Sequence, residues 1–446
     1  MLCWRAFAVG GAGLLLYVTC FLAAPLALRH DQGRRLKRLH IHPYDKGSED
    51  PSDARDSTAL SNKSTDELQF DSGNNDNNTN IIHARRAGAL DKVMPEGPYF
   101  VEGSDGKVMP DGRLCIRGKA VPTLYVLGEA KSGTCTSYSI LHYTGGIDSV
   151  GERVPNAEKK SYKEYNWFFR HWHKVDPKWD VDEVAESWYA DMPDCNVPHS
   201  DAIPARKRFV LGDFTPIYAR MTPFPSGYTK GRYFEHLDVN KMDLPRTFRH
   251  IYGPFAHHLN FVYLVREPVS QMKSVWYFKT RTDWPGKRTK KDKVWIGAKM
   301  GSFPADVTLA LDEYAEGRIT VLFWAILYGR HLQSWMSHFA ASQFMPIPFR
   351  YLAYMKRAEV CSMIGKQIGA AITCADGEES QRSVKNNQEH EDLSEDLHAR
   401  VDAALAPELQ LFIDLLHNAN QHGAALVGLT PEATKEDVKQ WLLVGW

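Results

Sequence analysis

Apolar runs alternate with helical patterns along the chain from Val121 onward. Four runs of apolar and β-branched residues indicate buried strands, at Thr123–Gly128, Arg208–Gly212, Leu259–Arg266 and Phe344–Leu352. Helical patterns follow at Thr134–Tyr143, Pro268–Phe278, Ile319–Ala341 and Asp392–Leu416, the last with an expected break at Pro407. Strands that alternate with helices predict an α/β fold, in which helices flank a mostly parallel sheet.

A different pattern precedes this region. Residues Ala6–Leu28 are apolar or small throughout, and about 20 such residues suffice to cross a bilayer. We interpret this segment as a signal-anchor or a long signal peptide. The stretch His40–Asn80 is rich in Asp, Ser, Asn and Lys, which is typical of a disordered stem. The predicted domains are therefore a membrane segment at 1–28, a largely disordered stem at 29–119 and one folded domain at 120–446.

Two signals for the orientation of the predicted membrane segment disagree. Basic residues cluster after it, between Arg29 and Arg38, and the positive-inside rule would place them in the cytosol. Glycosylation acceptors at Asn62 and Asn77 instead favour a lumenal C-terminal part, although such triplets also arise by chance in a tract rich in Asn and Ser. We expect the lumenal orientation.

The composition of the chain narrows the function classes. Lys and Arg together number 54, as do Asp and Glu, so the formal net charge is zero and no charge bias indicates a nucleic-acid partner. The seven cysteines are too few for a disulfide scaffold. No Cys-x-x-Cys pair and no Asp/Glu/His cluster in the sequence indicates a metal site, so we expect none.

The glycine loop Gly128–Thr134, which reads Gly-Glu-Ala-Lys-Ser-Gly-Thr, is the most informative motif. It joins a predicted strand to a predicted helix start, so its backbone N–H groups and the helix dipole can hold an anion. A Walker A loop for nucleoside triphosphates ends in Gly-Lys-Ser/Thr. Here Thr134 follows Gly133 directly, and the only lysine is Lys131, inside the loop. The loop is therefore P-loop-like, and the displaced lysine indicates an anion other than ATP.

A second candidate anion site follows the strand that ends at Arg266. Ser274 lies eight residues later, about two turns into the following helix. A guanidinium and a hydroxyl placed in this way can bind one phosphate group. The alternative is that Arg266 forms a salt bridge with Glu267 or another neighbour.

Two further motifs carry candidate chemistry. Glu164 precedes an aromatic block, Trp167–Phe169, by three residues. A glutamate near an aromatic wall in a cleft can act as a base toward a hydroxyl, because burial raises the pKa of such a carboxyl; a surface glutamate beside a buried aromatic strip is the alternative. The other motif, Asp213–Tyr218, is a polar turn directly after a predicted strand.

The order and spacing of these motifs resemble the Golgi carbohydrate sulfotransferases that use 3′-phosphoadenylyl sulfate (PAPS), especially the branch acting on heparan and chondroitin sulfate. That family has a Lys-x-Gly-Thr-Thr/Ser loop, a Lys-Glu-x-His motif followed by aromatics, a Ser/Thr-Pro-x-Tyr element and an Arg-x-Pro element with a serine eight residues after the arginine. The matching residues here are Lys131 to Thr136, Lys163 to Phe168 (with Asn166 in place of the histidine), Thr215 to Tyr218, Arg266, Pro268 and Ser274.

The resemblance implies a PAPS sulfotransferase fold and a donor site with no metal. The first loop of the family binds the 5′-phosphosulfate, here through Lys131, Ser132, Gly133, Thr134, Cys135 and Thr136. Its arginine and serine bind the 3′-phosphate, here through Arg266 and Ser274. Lys131 would also act in catalysis, on the bridging oxygen of the departing nucleotide.

The resemblance also implies an acceptor side. Glu164 would be the catalytic base, and Asp213, Thr215 and Tyr218 would help to bind the acceptor. The partner would be a glycan, and the basic stretch Lys279–Lys293 suits an acidic or glycosaminoglycan-like polysaccharide, with a solvated loop as the alternative. The expected location is the Golgi membrane, single-pass with a lumenal catalytic domain, or secretion if the N-terminal segment is cleaved.

The chain departs from the family pattern at several positions. Cys135 replaces the usual second Thr or Ser of the loop, and a thiol is a poorer hydrogen-bond donor. Asp213-Phe214 replaces an acid and a lysine that often meets the acceptor. Cys361 and Cys374 bracket a segment where relatives often have a disulfide, two buried thiols being the alternative. The loop that closes over the nucleotide has one weak candidate, Arg382–Asn387.

Two other function classes remain open from the sequence. A P-loop kinase or NTPase would explain the glycine loop, but the terminal lysine is missing. A non-catalytic glycan-binding protein of the secretory pathway would keep the fold and the basic stretch. Within the sulfotransferases, a tyrosine-sulfating enzyme is a lesser alternative. The sequence carries no signal for the acceptor sugar or the oligomeric state.

Overall fold

The computed structural model describes residues 105–129, 131–144, 146–154, 165–172, 180–196, 209–231, 243–280, 302–372, 374 and 391–446. The predicted membrane segment and most of the predicted stem lie outside the described residues. Within these ranges, no helix combines the length and the apolar character that crossing a membrane requires.

The described strands belong to three sheets. In chain order they are β1 Gly106–Val108, β2 Leu114–Ile116, β3 Lys119–Ala120, β4 Leu124–Gly128, β5 Asp148–Ser149, β6 Leu211–Asp213, β7 Thr229–Lys230, β8 Asn260–Val265, β9 Arg318–Ile319 and β10 Phe344–Pro348. Five of them form the central sheet in the order β10-β8-β4-β6-β5, and every neighbouring pair in it is parallel. The predicted α/β fold with a parallel sheet is confirmed.

The described α-helices lie between and after these strands. They are α1 Thr134–Tyr138, α2 Val150–Arg153, α3 Trp167–Trp172, α4 Val181–Asp191, α5 Leu244–Tyr252, α6 Pro268–Thr280, α7 Phe303–Ala315, α8 Val321–Trp324, α9 Tyr328–Met336, α10 Arg357–Ile368, α11 Glu395–Gln421 and α12 Lys435–Gly445. Short 3₁₀-helices span Pro216–Arg220, Gly253–His258 and Ala341–Gln343, and π-helical turns span Ser139–Thr144 and Tyr351–Met355.

The central strands carry apolar runs because both faces of the sheet are covered. Every residue of β4 and β10 is buried, as is every residue of β8 after Asn260. Parallel strands end at the same edge of a sheet, and ligands of such sheets bind beyond that edge. Here that edge carries Gly128 at the end of β4, Asp213 at the end of β6 and Arg266 directly after β8.

A small antiparallel sheet precedes the central one. Strands β1, β2 and β3 pair in sequence order, and β2 is wholly buried. A disulfide joins Cys115 of β2 to Cys195. Residues 106–119, which the prediction included in the stem, therefore form strands attached to the folded part of the chain.

Two predicted elements have different bounds in the structure. The helix predicted at Ile319–Ala341 is instead β9, α8 and α9, separated by short turns. The strand predicted at Phe344–Leu352 ends at Pro348, and a π-helical turn begins at Tyr351. In the first segment, residues 319–329 are all buried, so the period of the pattern does not mark where one element ends. In the second, the five residues of β10 are buried, whereas Arg350 is exposed.

The break predicted at Pro407 is wrong, because α11 continues through it from Glu395 to Gln421. Contacts with α9 hold the helix directly after the proline. A Cβ on Gly329 would lie 3.0 Å from the carbonyl oxygen of Glu408, so the glycine allows the two helices to approach closely. Arg330 Nε then donates to Glu408 Oε1 at 2.6 Å. Tertiary contacts thus override the local preference of proline.

A second disulfide links Cys361 of α10 to Cys374. This confirms the disulfide that the resemblance implied and excludes the alternative of two buried thiols. Among the described cysteines, only Cys135 forms no disulfide.

Candidate active site

The glycine loop turns sharply between β4 and α1. Lys131 and Gly133 both have left-handed backbones, with φ of 74° and 95°. A side chain at Gly133 would overlap the Phe349 ring, and a Cβ at Gly128 would lie 2.9 Å from the methyl carbon of Thr134. These close approaches require glycine at both positions. In a loop of this type the backbone N–H groups lie at the start of the helix, as they do in backbone sites that bind anions.

The side chains of the predicted loop residues differ in exposure. Ser132 is fully buried and Thr134 is nearly so, whereas Cys135 is exposed and Thr136 is partly buried. The N–H of Ser132 donates to the carbonyl oxygen of Glu129 at 3.0 Å. The burial of Ser132 and Thr134 limits the contact that either side chain can make with a bound anion.

Arg266 lies against the glycine loop. Its Nη1 donates a hydrogen bond to the carbonyl oxygen of Lys131 at 3.2 Å, and its guanidinium lies 5.3 Å from the centre of the Phe349 ring. Tyr328 fixes the backbone here, because its hydroxyl donates to the carbonyl oxygen of Arg266 at 2.8 Å. Burial lowers the pKa of Arg266 from its usual value, and nearby Tyr328 and Glu267 oppose that shift.

The alternative of a salt bridge between Arg266 and Glu267 is not observed. The Glu267 carboxylate instead accepts hydrogen bonds from the N–H groups of Val269 at 2.7 Å and Ser270 at 2.6 Å. It thereby caps the first turn of α6, where N–H groups lack partners within the helix. Arg266 is left to contact the glycine loop.

Lys131 contacts helix α6, which also carries Ser274. The Lys131 Nζ lies 4.5 Å from the centre of the Phe278 ring of α6, and Ser274 lies one turn earlier on that helix, where it is half-buried. The glycine loop thus contacts both Arg266 and helix α6 at the carboxyl edge of the sheet. Lys131 and Arg266 are brought together there, and Ser274 lies on the helix that Lys131 contacts.

The predicted acceptor-side residues Asp213, Thr215 and Tyr218 are all buried, and none exposes more than 2% of its surface. Thr215 Oγ1 donates to Asp213 Oδ1 at 2.5 Å and accepts from the N–H of Asn166 at 3.0 Å. The Tyr218 hydroxyl accepts from the N–H of Phe168 at 3.4 Å. Burial raises the pKa of Tyr218 well above its usual value, so the hydroxyl stays protonated. Thr215 and Tyr218 therefore bind the protein backbone, and Asp213 binds the Thr215 hydroxyl.

Several predicted features lie outside the described residues. Glu164, the predicted base, and Lys163 are among them, as are most of the basic stretch Lys279–Lys293 and the candidate closing loop Arg382–Asn387. The described chain resumes at Tyr165, the residue after Glu164.

A buried charged cluster beneath the glycine loop was not predicted. Glu129 is fully buried, with its carboxylate 4.0 Å from Arg220 Nε and 3.7 Å from His331 Nε2. Burial raises the pKa of Glu129 to about 8, although the Arg220 guanidinium lowers it. Burial also lowers the pKa of His331 to about 3. The sequence contains no signal for this cluster, because a charged residue that follows a strand is usually solvated.

Comparisons with known proteins add one similarity. No family model matches the chain, and no curated protein is similar to it. Among solved structures, the chain is similar to a sulfotransferase from Alicyclobacillus acidocaldarius, at 13% identity over 67% of this chain and 96% of that one, with a TM-score of 0.37. A similarity of this size does not establish a shared fold.

Proposed function

We propose that the chain is a sulfotransferase that moves a sulfuryl group from PAPS to a hydroxyl of a glycan. The observation that carries the proposal is the hydrogen bond of 3.2 Å between Arg266 and the Lys131 carbonyl. The bond joins the glycine loop to the Arg-x-Pro element, the two motifs that match the donor site of the family, although 135 residues separate Lys131 from Arg266. A donor with phosphate groups at two positions needs such a pair of adjacent anion sites.

The donor would be held by backbone N–H groups and three side chains. The N–H groups of the glycine loop suit the 5′-phosphate, and Lys131 suits the bridging oxygen, where negative charge accumulates as the nucleotide departs. Arg266 can form paired hydrogen bonds with a 3′-phosphate, and Ser274 can add one more. A lysine inside the loop, in contrast to one at its end, separates this site from those of ATP-dependent P-loop enzymes.

The chemistry is a nearly in-line displacement, similar to phosphoryl transfer. The acceptor hydroxyl oxygen forms a bond to sulfur while the bond between sulfur and the bridging oxygen breaks. Glu164 takes the proton of the acceptor hydroxyl, and Lys131 stabilises the charge on the leaving phosphate oxygen. The products are a sulfate ester and 3′,5′-ADP.

An anionic glycan is the proposed acceptor class. Helix α6 leads from Ser274 and Phe278 directly into the basic stretch Lys279–Lys293. Positive charge beside the donor site would attract a chain of repeating carboxylates or sulfates.

We also propose a lumenal location in the Golgi membrane. The two disulfides, Cys115–Cys195 and Cys361–Cys374, support it, because disulfides persist in oxidising compartments.

The proposal is tested by incubating the full chain with sulfur-labelled PAPS and a panel of desulfated polysaccharides, with a tyrosine peptide as a further acceptor. We expect transfer to an acidic polysaccharide. Lys131→Ala should lower the rate by about 10²–10³-fold, and Glu164→Gln by about 10²–10⁴-fold, with 3′,5′-ADP binding nearly unchanged in the latter. ATP turnover without dependence on PAPS, or full transfer activity in both variants, would contradict the proposal.

A further inference from the structure

The buried charged cluster beneath the glycine loop is built partly from the loop itself. Glu129 is the first residue after β4, and its carbonyl oxygen accepts a hydrogen bond from the N–H of Ser132 at 3.0 Å. Its carboxylate faces Arg220, at the end of the 3₁₀-helix after β6, and His331 of α9, at 4.0 and 3.7 Å. A charge on this carboxylate therefore lies close to the backbone that is the candidate anion site.

The Glu129 carboxylate has no hydrogen-bond donor among the described residues. Arg220 Nε, at 4.0 Å, lies beyond hydrogen-bond distance. His331 Nε2 lies 2.7 Å from the carbonyl oxygen of Trp324, and Nδ1 lies 3.0 Å from the Thr222 hydroxyl. Since a carbonyl only accepts, Nε2 donates its proton to Trp324 and the neutral ring offers none to Glu129. An ionised carboxylate that is buried without donors is costly, so this geometry favours the protonated acid.

A protonated Glu129 leaves the charge of Arg220 uncompensated by the carboxylate. Arg220 exposes only 9% of its surface, and its Nη1 has no hydrogen-bond partner in the part of the chain that the structure describes. Burial lowers the pKa of Arg220, but a guanidinium keeps its proton at any ordinary pH. The net charge of the pair therefore changes by one unit when Glu129 gains or loses its proton.

The cluster reaches both halves of the candidate donor site. Burial raises the pKa values of Tyr263 on β8 and Tyr328 on α9 well above their usual value, and the Glu129 carboxylate raises both further. Both tyrosines therefore stay neutral. The Tyr328 hydroxyl donates to the carbonyl oxygen of Arg266, so the carboxylate acts electrostatically on the support of Arg266 as well as on the loop.

We propose that Glu129 and Arg220 form a proton-linked charge pair that sets the affinity of the glycine loop for the donor. With Glu129 protonated, the Arg220 charge attracts the 5′-phosphosulfate of PAPS; with Glu129 ionised, the carboxylate cancels this attraction. A bound anion in turn favours the protonated acid, so binding in alkaline solution takes up protons from solvent onto the Glu129 carboxylate. The inference rests on the proposed function, which identifies the anion.

The test measures the Kd for 3′,5′-ADP in the full chain and in Glu129→Gln from about pH 7 to about pH 9.5. Glutamine has the shape of the protonated acid and cannot ionise. Glu408→Gln is the matched control, because Glu408 is also buried but accepts a hydrogen bond from Arg330 Nε at 2.6 Å. The ratio of the Kd values of parent and variant at each pH cancels the titration of groups that the proteins share, including the exposed Cys135.

The parent and Glu129→Gln should differ little at about pH 7, where Glu129 is protonated. At about pH 9.5 the Kd of the parent should be about tenfold higher than that of Glu129→Gln, because burial raises the pKa of Glu129 to about 8 and one nearby charge has an effect of this size. Glu408→Gln should follow the parent. Calorimetry in buffers of different ionisation enthalpy should show that the parent takes up about half a proton more than Glu129→Gln at about pH 8.5.

A ratio of Kd values that stays constant with pH would overturn the inference, as would a Glu408→Gln variant that behaves like Glu129→Gln. If the parent binds no 3′,5′-ADP and transfers no sulfate, the proposed function fails. The same comparison with inorganic sulfate, whose charge is constant over this range, then decides whether the pair controls anion binding. Sulfate that does not bind, or that binds with the same pH dependence to both proteins, would overturn the inference.

Infrared difference spectra between the parent and Glu129→Gln give a readout that needs no ligand. The C=O band of a carboxylic acid should be present in the parent at neutral pH and disappear by about pH 9.5. A parent that lacks this band at neutral pH would have an ionised Glu129, which would contradict the proposed charge pair.

Discussion

A single guanidinium connects the two halves of the candidate donor site. Arg266 reaches the Lys131 carbonyl from the end of β8 and stacks over Phe349, which also lies against Gly133. Burial on one side and a carbonyl on the other restrict the orientation of this side chain. A restricted guanidinium loses little further freedom when it binds a phosphate, which favours affinity.

Replacing Arg266 should reveal which phosphate it binds. In Arg266→Ala the Kd for 3′,5′-ADP should rise by about 10- to 100-fold, because a hydrogen bond to a charged group contributes about 1.5–3 kcal/mol. The Kd for 5′-AMP, which lacks the 3′-phosphate, should change much less. Calorimetric titration measures both values, and Arg266→Lys, which keeps the charge without the paired donors, serves as the control. If the affinities for both nucleotides fell equally, Arg266 would act only by holding the glycine loop.

The burial of Glu129 is a feature that sequence patterns do not reveal. The motif spacing predicted that Lys131 and Arg266 would meet, because both follow parallel strands that end at one edge. Nothing in the spacing indicated that Glu129 would face inward, since a charged residue after a strand is usually solvated. Its direction depends on Arg220 and His331, which come from elements far along the chain.

The burial of Glu129 should make stability depend on pH. Its pKa rises from 4.5 to about 8 on folding, so the folded chain retains a proton that the unfolded chain loses between these values. Relative to Glu129→Gln, the parent should therefore lose up to about 1.4 kcal/mol of unfolding free energy per pH unit as the pH rises from 5 to 8. Urea unfolding at several pH values measures this difference. A difference that stays constant over this range would show that Glu129 keeps its usual pKa.

Strands and helices with a clear hydrophobic period were predicted well, whereas buried segments that contain both a strand and helices were not. The apolar runs predicted the positions of β4 and β8 to within a few residues, and the helix after Arg266 begins at Pro268 as expected. Thr320 caps the start of α8, but it is a single polar residue in the otherwise apolar run 319–327, so the segment Ile319–Ala341 was taken as one helix. Strands β1 to β3 have two or three residues each, too short to show a period.

Helix α11 stays continuous through Pro407, but the proline lowers the free energy of unfolding. Pro407 cannot donate to the carbonyl four residues earlier, and its ring crowds that turn. Pro407→Ala should therefore raise the free energy of unfolding by about 1–3 kcal/mol, given the difference of about 3 kcal/mol in helix propensity. The exposed neighbour Ala406 offers a control, since Ala406→Gly should lower stability by about 1 kcal/mol. Thermal unfolding of both variants measures the changes, and a less stable Pro407→Ala would mean that the proline ring packs favourably.

At the scale of the whole molecule, two disulfides link segments that lie outside the central sheet. Cys115–Cys195 joins the small antiparallel sheet to the chain after α4, and Cys361–Cys374 joins α10 to the chain that follows it. The sequence indicated only the second link, and did so through the resemblance, which singles out neither Cys115 nor Cys195. The parallel sheet itself was predictable, since it follows from the alternation of strands and helices.

The two disulfides should differ in their contribution to stability. Their loops of 80 and 13 residues correspond to about 4.5 and about 3 kcal/mol in the chain-entropy treatment. Cys115→Ser should therefore destabilise the chain more than Cys361→Ser, as measured by urea unfolding under oxidising conditions. In a reducing buffer the parent and both variants should converge. The reverse order would indicate that the small antiparallel sheet opens independently of the rest.

The bond between Arg266 and the Lys131 carbonyl uses one of the five N–H donors of the guanidinium. In the proposed function, the other donors serve the 3′-phosphate while the bonded one keeps the guanidinium beside the glycine loop. Under that proposal the arginine and the loop would keep the same relative position with and without the nucleotide, so 3′,5′-ADP should bind in a single kinetic step.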